Sequence, residues 1–191
     1  MSIIEFVQSS LTDKTNKQKK FLINAIDAIE ALVIETEINI NVENYKRIID
    51  NFGVKHTFKK HGNAIKEASR GQLAIEIDDF DYIANIVAEP DDIVFGEVND
   101  MGNALIKYMK NIDNIQYVYV EEIRTGRKEL ALQTFYRRAV KQKNPSTWVN
   151  GFWYYIVPRA IAKDCAAHTS ETPYPISAAK IRRFSIISKS F

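Results

Sequence analysis

The sequence predicts an α+β fold: N-terminal helices packed on a four-stranded antiparallel β-meander, followed by a C-terminal extension. Three observations predict it. Helical spacing and helix caps prevail up to Pro90. Four β-like runs separated by turn residues follow between residues 92 and 138. The pattern then dissolves in a stretch that holds Pro145, Pro158, Pro173 and Pro175. The corresponding division is a lead-in over 1–41, a main domain over 42–138 and an extension of unknown role over 139–191.

Taken in order, residues 12–20 ("TDKTNKQKK") are polar and basic and read as a solvated helix start or a flexible lead-in. Phe21, Leu22, Ala25, Ile26, Ile29, Leu32 and Val33 follow helical spacing over 21–34. "VIETEINI" then alternates with period two, as a strand does. "NVENYKRIIDNFG" reads as a helix with Asn41 as N-cap and Gly53 as its stop. A short helix over 54–61 should end at Gly62, and a further turn or two should run from Ala64 to Arg70. Asp78 or Asp79 can cap a helix that carries Tyr82, Ile83, Ile86 and Val87 on its apolar face and stops at Pro90.

The strand-like runs are "DIVFGEV", "ALIKYMKNI", "IQYVYVEEIR" and "KELALQTFYRR", joined by "NDMGN", "DN" and "TGR". "ALIKYMKNI" has helical propensity too, but the turn signals on both sides favour a strand. In the last run Leu130, Leu132, Thr134 and Tyr136 share one face by simple alternation, and Gln133, Phe135 and Arg137 share the other. Beyond residue 138, a helix over 146–163, a loop at "HTSETPYP" and a basic apolar tail "KIRRFSIISKSF" are expected.

Composition sets outer limits. The chain has 191 residues, enough for a core without staples, and its 46% apolar and 26% charged residues are those of a soluble globular protein. Cys165 is the only cysteine, so no intrachain disulfide can form. No apolar run approaches the ~20 residues needed to span a bilayer. "MSIIEFVQSS" lacks the positive region of a signal peptide. The expected location is therefore the cytoplasm, without a membrane partner. The net charge of +2 argues against general coating of duplex nucleic acid. It conceals segregation, however. Nine acids and no Lys or Arg lie between Glu76 and Asp100, whereas Lys55, Lys59, Lys60, Lys66 and Arg70 cluster upstream and Arg124, Arg127, Lys128, Arg137 and Arg138 downstream.

The chemistry-bearing stretch is "VKHTFKKHGN". On a helix Lys60 stands one turn after His56 on the same face, with Lys59 beside it. His61 shares the site only if the helix ends there, which Gly62 favours. Histidine is a general acid or base near neutrality, and a neighbouring ammonium lowers its pKa and can stabilise a phosphorane. Such a set fits metal-free RNA cleavage, although two histidines beside lysines also describe a solvated surface. Metal binding is not expected, because His56 and His61 lack a third ligand and the lysines repel a cation. Thr134 and Tyr136 can bring hydroxyls to a phosphate from the sheet, and are equally ordinary β-formers. Arg70 can clamp phosphate or pair with an acid.

The order "VKHTFKKHGN", "EASRGQLAIEIDDFDYIANIVAEPDDIV" and a meander ending in "LALQTFYRR" resembles the Barnase–EndoU–colicin–RelE (BECR) nuclease superfamily, in its phage- and prophage-associated branch, over residues 42–138. The resemblance implies metal-independent ribonuclease chemistry with 2′,3′-cyclic phosphate products. It nominates His56, Lys60, His61, Thr134 and Tyr136 as catalytic residues, with Lys59, Arg70, Arg137 and Arg138 binding RNA and neither metal nor cofactor. The function expected is thus an endoribonuclease, a toxin or phage effector, in a bacterial or phage-infected cell. Its expected partners are RNA, with tRNA a candidate, and an immunity or antitoxin protein. The rival expectation is a non-catalytic RNA- or protein-binding module or phage structural component, for which the aromatic cluster Trp148, Phe152, Trp153, Tyr154 and Tyr155 would serve as the partner surface.

Overall fold

The computed structural model describes residues 1–140. The readings made for 141–191, including the aromatic cluster, lie outside the described residues. The elements are α1 (Ile3–Thr12), β1 (Lys20–Ala25), α2 (Ala28–Ile38), β2 (Lys46–Asp50), α3 (Asn51–His61) and α4 (Ala64–Ser69), followed by a 3₁₀ turn (Asp78–Tyr82) that leads into α5 (Ile83–Ala88). Then come β3 (Asp92–Val98), β4 (Ala104–Ile112), β5 (Ile115–Arg124) and β6 (Glu129–Ala139). The strands form one mixed sheet in the order β1-β2-β6-β5-β4-β3. Only β2 and β6 run parallel; all other neighbours are antiparallel.

The fold is α+β, and β3 to β6 are the expected four-stranded meander. The β4–β5 turn at Asp113 and Asn114 has positive φ at both residues (50° and 62°), the short loop that matches strand twist. The sheet has two further strands that the sequence reading took for helix. β1 lies where a helix over 21–34 was expected, because Asp27 caps α2 by accepting from the N–H groups of Ile29 and Glu30. A residue committed to an N-cap closes the helix in front of it. "VIETEINI" is mostly the end of α2 rather than a strand, and α2 stops at Asn39 in the left-handed region (φ 56°). β2 replaces the expected helix over 41–53. Asn41 accepts from Glu43 N–H in a turn instead of capping a helix. Gly53 opens α3 instead of closing a helix. α1, which the sequence reading did not assign, begins with a Ser2–Glu5 capping box.

The helices share one core with one face of the sheet. Phe6 and Val7 of α1, Ala31 and Ile34 of α2, Val54 of α3, Phe80, and Ile83 and Ile86 of α5 pack with Ile49, Ile106, Tyr117, Tyr119, Ile123, Leu130, Leu132 and Phe135. Alternation along the strands puts Ile48, Val118, Val120 and Ala131 on the opposite face, where they are also buried.

Candidate active site

The site begins where β2 becomes α3. Asp50 ends the strand and caps the helix, its Oδ1 accepting from Gly53 N–H at 2.7 Å. β2 pairs with β6 only over Lys46–Ile48, opposite Glu129–Ala131. α3 then continues in line with β2, beside the part of β6 that β2 leaves unpaired. Gly53 makes this possible, because a Cβ there would stand 2.6 Å from the carbonyl oxygen of Leu132. At the other end the His61 ring stacks on Tyr136, with centroids 5.3 Å apart. Eight helical residues advance about 12 Å and Leu132 to Tyr136, with one bulged residue between them, about 10 Å, so helix and strand keep nearly level. His56, three residues past Gly53, lies between these two points of contact on α3. Its Nε2 and the Thr134 Oγ1 are both buried polar atoms without a hydrogen-bond partner.

Gly62 ends α3 at His61, as the sequence predicts, and donates its N–H to Phe58 O. The chain then turns through α4 and returns along β6: Ile75 N–H bonds His61 O, and Leu73 N–H bonds Arg137 O. This return buries Glu67 completely. Its Oε2 lies 2.9 Å from His61 Nδ1, and its Oε1 accepts from Arg70 at 2.8 Å. The carboxylate fixes the imidazole and favours a proton on Nδ1, which leaves Nε2 for the chemistry. Sequence reasoning missed Glu67. The signal available was a lone acid, six residues after His61, within an otherwise cationic stretch.

A β-bulge changes the expected faces of β6. Val120 pairs with Thr134 but Glu121 pairs with Leu132, so Gln133 is an extra residue. Phe135 and Arg137 therefore join Leu130 and Leu132 on the helix side, while Thr134 and Tyr136 turn to the opposite face. There Thr134 and Tyr136 line a cleft of about 410 Å³ with Gln133, Lys107, Glu97 and Met101. His56, Lys60 and His61 are not among its lining residues; His61 meets the cleft through its stacking on Tyr136.

The remaining cations separate. Lys59 and Lys60 are exposed at the end of α3. Arg138 shares the face of Tyr136 and donates to Gln116 Oε1. Arg137 is on the helix side, where its guanidinium meets Asp79 at 2.7 Å, Glu76 and the Ala74 carbonyl. It ties the 74–79 segment to the sheet, and its donors are spent on protein groups. Asp79, expected as a helix cap, instead accepts from the Glu76 N–H, Tyr117 and Arg137. Burial of His56, reinforced by Lys60, His61 and Lys59, pushes its pKa below the ordinary histidine value.

The order of these parts, a histidine-bearing helix before an antiparallel meander, is the one the sequence resemblance implied. The family model described as phage-Barnase-EndoU-ColicinE5/D-RelE like nuclease 3 matches residues 24–145, more than half of the chain. The chain belongs to this family. This phage BECR-type nuclease matches no curated protein and no solved structure. The family match starts at residue 24, near the end of β1, so α2 and β2 of the BECR-type nuclease fall inside it along with α3 and the meander. Among its described residues no helix is long and apolar enough to cross a membrane.

Proposed function

We propose that this nuclease is a metal-independent endoribonuclease that cleaves RNA by attack of a ribose 2′-hydroxyl on the adjacent phosphate. The observation that carries this reading is His61, with Nδ1 on a fully buried carboxylate and its ring on Tyr136, at the edge of the cleft that Thr134 lines. His56, held neutral by burial and neighbouring cations, is the base that takes the 2′-proton. The 2′-oxygen–phosphorus bond forms and the phosphorus–5′-oxygen bond breaks, leaving a 2′,3′-cyclic phosphate. His61, whose Nδ1 proton is favoured by Glu67, gives the Nε2 proton of its imidazolium to the departing 5′-oxygen. Lys60, one turn after His56, offsets the charge that builds on the phosphate. Thr134 and Tyr136 orient that phosphate, and Lys59, Arg70 and Arg138 meet the backbone around it. A structured RNA such as tRNA, cut as a toxin or phage effector would cut it, is the substrate class this reading favours.

The test is incubation with total RNA and with tRNA in EDTA, followed by analysis of the new ends. Cyclic phosphate ends, lost in His61→Ala and in His56→Ala, are the expected result. RNA that stays intact, or cleavage that survives both substitutions, overturns the reading. Retention of uncut RNA in a gel shift would identify a binding module instead.

A further inference from the structure

A second cavity, of about 510 Å³, lies at the far end of the same sheet face. It sits between the first turn of α3 and the β5–β6 turn, and it shares Met101 with the cleft that holds Thr134 and Tyr136. We propose that this cavity is a second RNA subsite, in which Phe52 stacks on a base and Arg127 binds the neighbouring phosphate, so that the enzyme grips a single strand several nucleotides from the bond it cuts. The inference rests on the ribonuclease reading above.

Three features carry it. Phe52 is 44% exposed although it stands in the first turn of a helix that packs on the sheet. An aromatic ring left at the mouth of a polar cavity is a platform on which any base can stack. Arg127 is exposed on the 3₁₀ turn Thr125–Arg127, and its one hydrogen bond among the described residues is a long contact of 3.3 Å to Gln18. The floor, by contrast, is already saturated. Arg124 joins Asp50 at 2.7 Å and Glu122, and Asn99 also donates to Glu122. Arg124 offsets one of the two carboxylate charges of Asp50 and Glu122 and Arg127 offsets the other, so the four charges that line the cavity sum to zero, and the network holds the wall rigid beneath the aromatic ring.

The spacing sets the length of RNA required. From Glu129 to Tyr136 the strand, which includes the bulged Gln133, advances about 20 Å, or about six steps of stacked nucleic acid. A dinucleotide therefore reaches only the catalytic edge, whereas a single strand of about ten nucleotides reaches both sites.

The experiment compares KM for a dinucleotide and for a single-stranded RNA decamer of one sequence, in the wild type, Phe52→Ala and Arg127→Ala. Phe52 and Arg127 are exposed, and thermal melts serve to check that both variants fold. The wild type should favour the decamer by about tenfold, a gap that Phe52→Ala closes and Phe52→Trp restores. Equal KM values in the wild type, or a full decamer advantage in both alanine variants, overturn the subsite and leave the ribonuclease reading standing. If neither RNA is cut, the ribonuclease reading fails instead. The subsite is then decided by fluorescence anisotropy of a 2′-O-methyl decamer, and equal affinity of wild type and Phe52→Ala overturns it.

Discussion

At the residue scale, the two histidines of α3 are set apart by their surroundings. His61 is tied to Glu67, and His56 has no hydrogen-bonding partner at its buried Nε2. Glu67→Gln keeps the shape of the side chain but removes the carboxylate that orients the His61 ring. RNA cleavage should fall by about 100-fold in kcat while thermal melts show the protein folded; unchanged cleavage would show that the carboxylate does not position His61 for the reaction. His56 yields a prediction about stability. Its pKa is lower in the folded protein than the value of about 6.5 in an unfolded chain. Between those two values the unfolded state binds more protons, so stability rises with pH across that window and is fully present above it. Urea midpoints from about pH 5 to about pH 8 should show this rise, and His56→Gln should flatten it. The cation cluster was legible in the sequence because it is local. Glu67 was not, since its meeting with His61 depends on how α4 folds back, and Arg137 was taken for a phosphate ligand because nothing local shows that Asp79 and Glu76 reach it.

At the element scale, the site depends on α3 lying flush against β6. Gly53 is the contact that allows it, and here the issue is space rather than backbone conformation. Gly53→Ala adds a methyl group 2.6 Å from Leu132 O, a distance that real side chains do not adopt. The helix must move away, at a cost of about 1–3 kcal/mol that outweighs alanine's better helix propensity of about 1 kcal/mol. A shift of the helix carries His56 and His61 away from Thr134 and Tyr136 together. Activity should therefore drop by about 100-fold even where thermal melts show the protein folded. Full activity with an unchanged melting temperature would refute this account of the interface. The four meander strands were readable because their turns are explicit and their alternation is interrupted at single residues, Gly96 and Gln133. The bulge at Gln133 was not readable, since an extra residue in a strand leaves no compositional mark, and it is the bulge that decides which face Thr134 and Tyr136 occupy.

At the scale of the whole molecule, the sheet and helices are joined by a charged group at their centre. Arg47 of β2 is 1% exposed. Its Nε donates to Glu121 of β5 at 2.7 Å, and its Nη2 to Tyr108 of β4 at 3.0 Å and to Glu30 of α2. β2 was read as helix because Asn41 and Gly53 look like a cap and a stop around "YKRIID", and only the sheet built around it shows that Arg47 faces inward. Burial alone would drive Glu121 toward its neutral form, and Arg47 works against that. The carboxylates in turn hold the Arg47 pKa above its ordinary value, so the guanidinium stays charged. Breaking the group from one side should be far worse than removing it. Arg47→Met leaves Glu121 buried without a counter-charge, and the expected loss is about 3–5 kcal/mol. Arg47→Met combined with Glu121→Leu leaves no buried charge from this pair, and Glu30, one quarter exposed, can turn to water. The double variant should regain most of the lost stability, which urea denaturation of the wild type, both single variants and the double variant measures as a coupling energy. A double variant as unstable as the sum of its two single variants would show that Arg47 holds the sheet by packing rather than by charge.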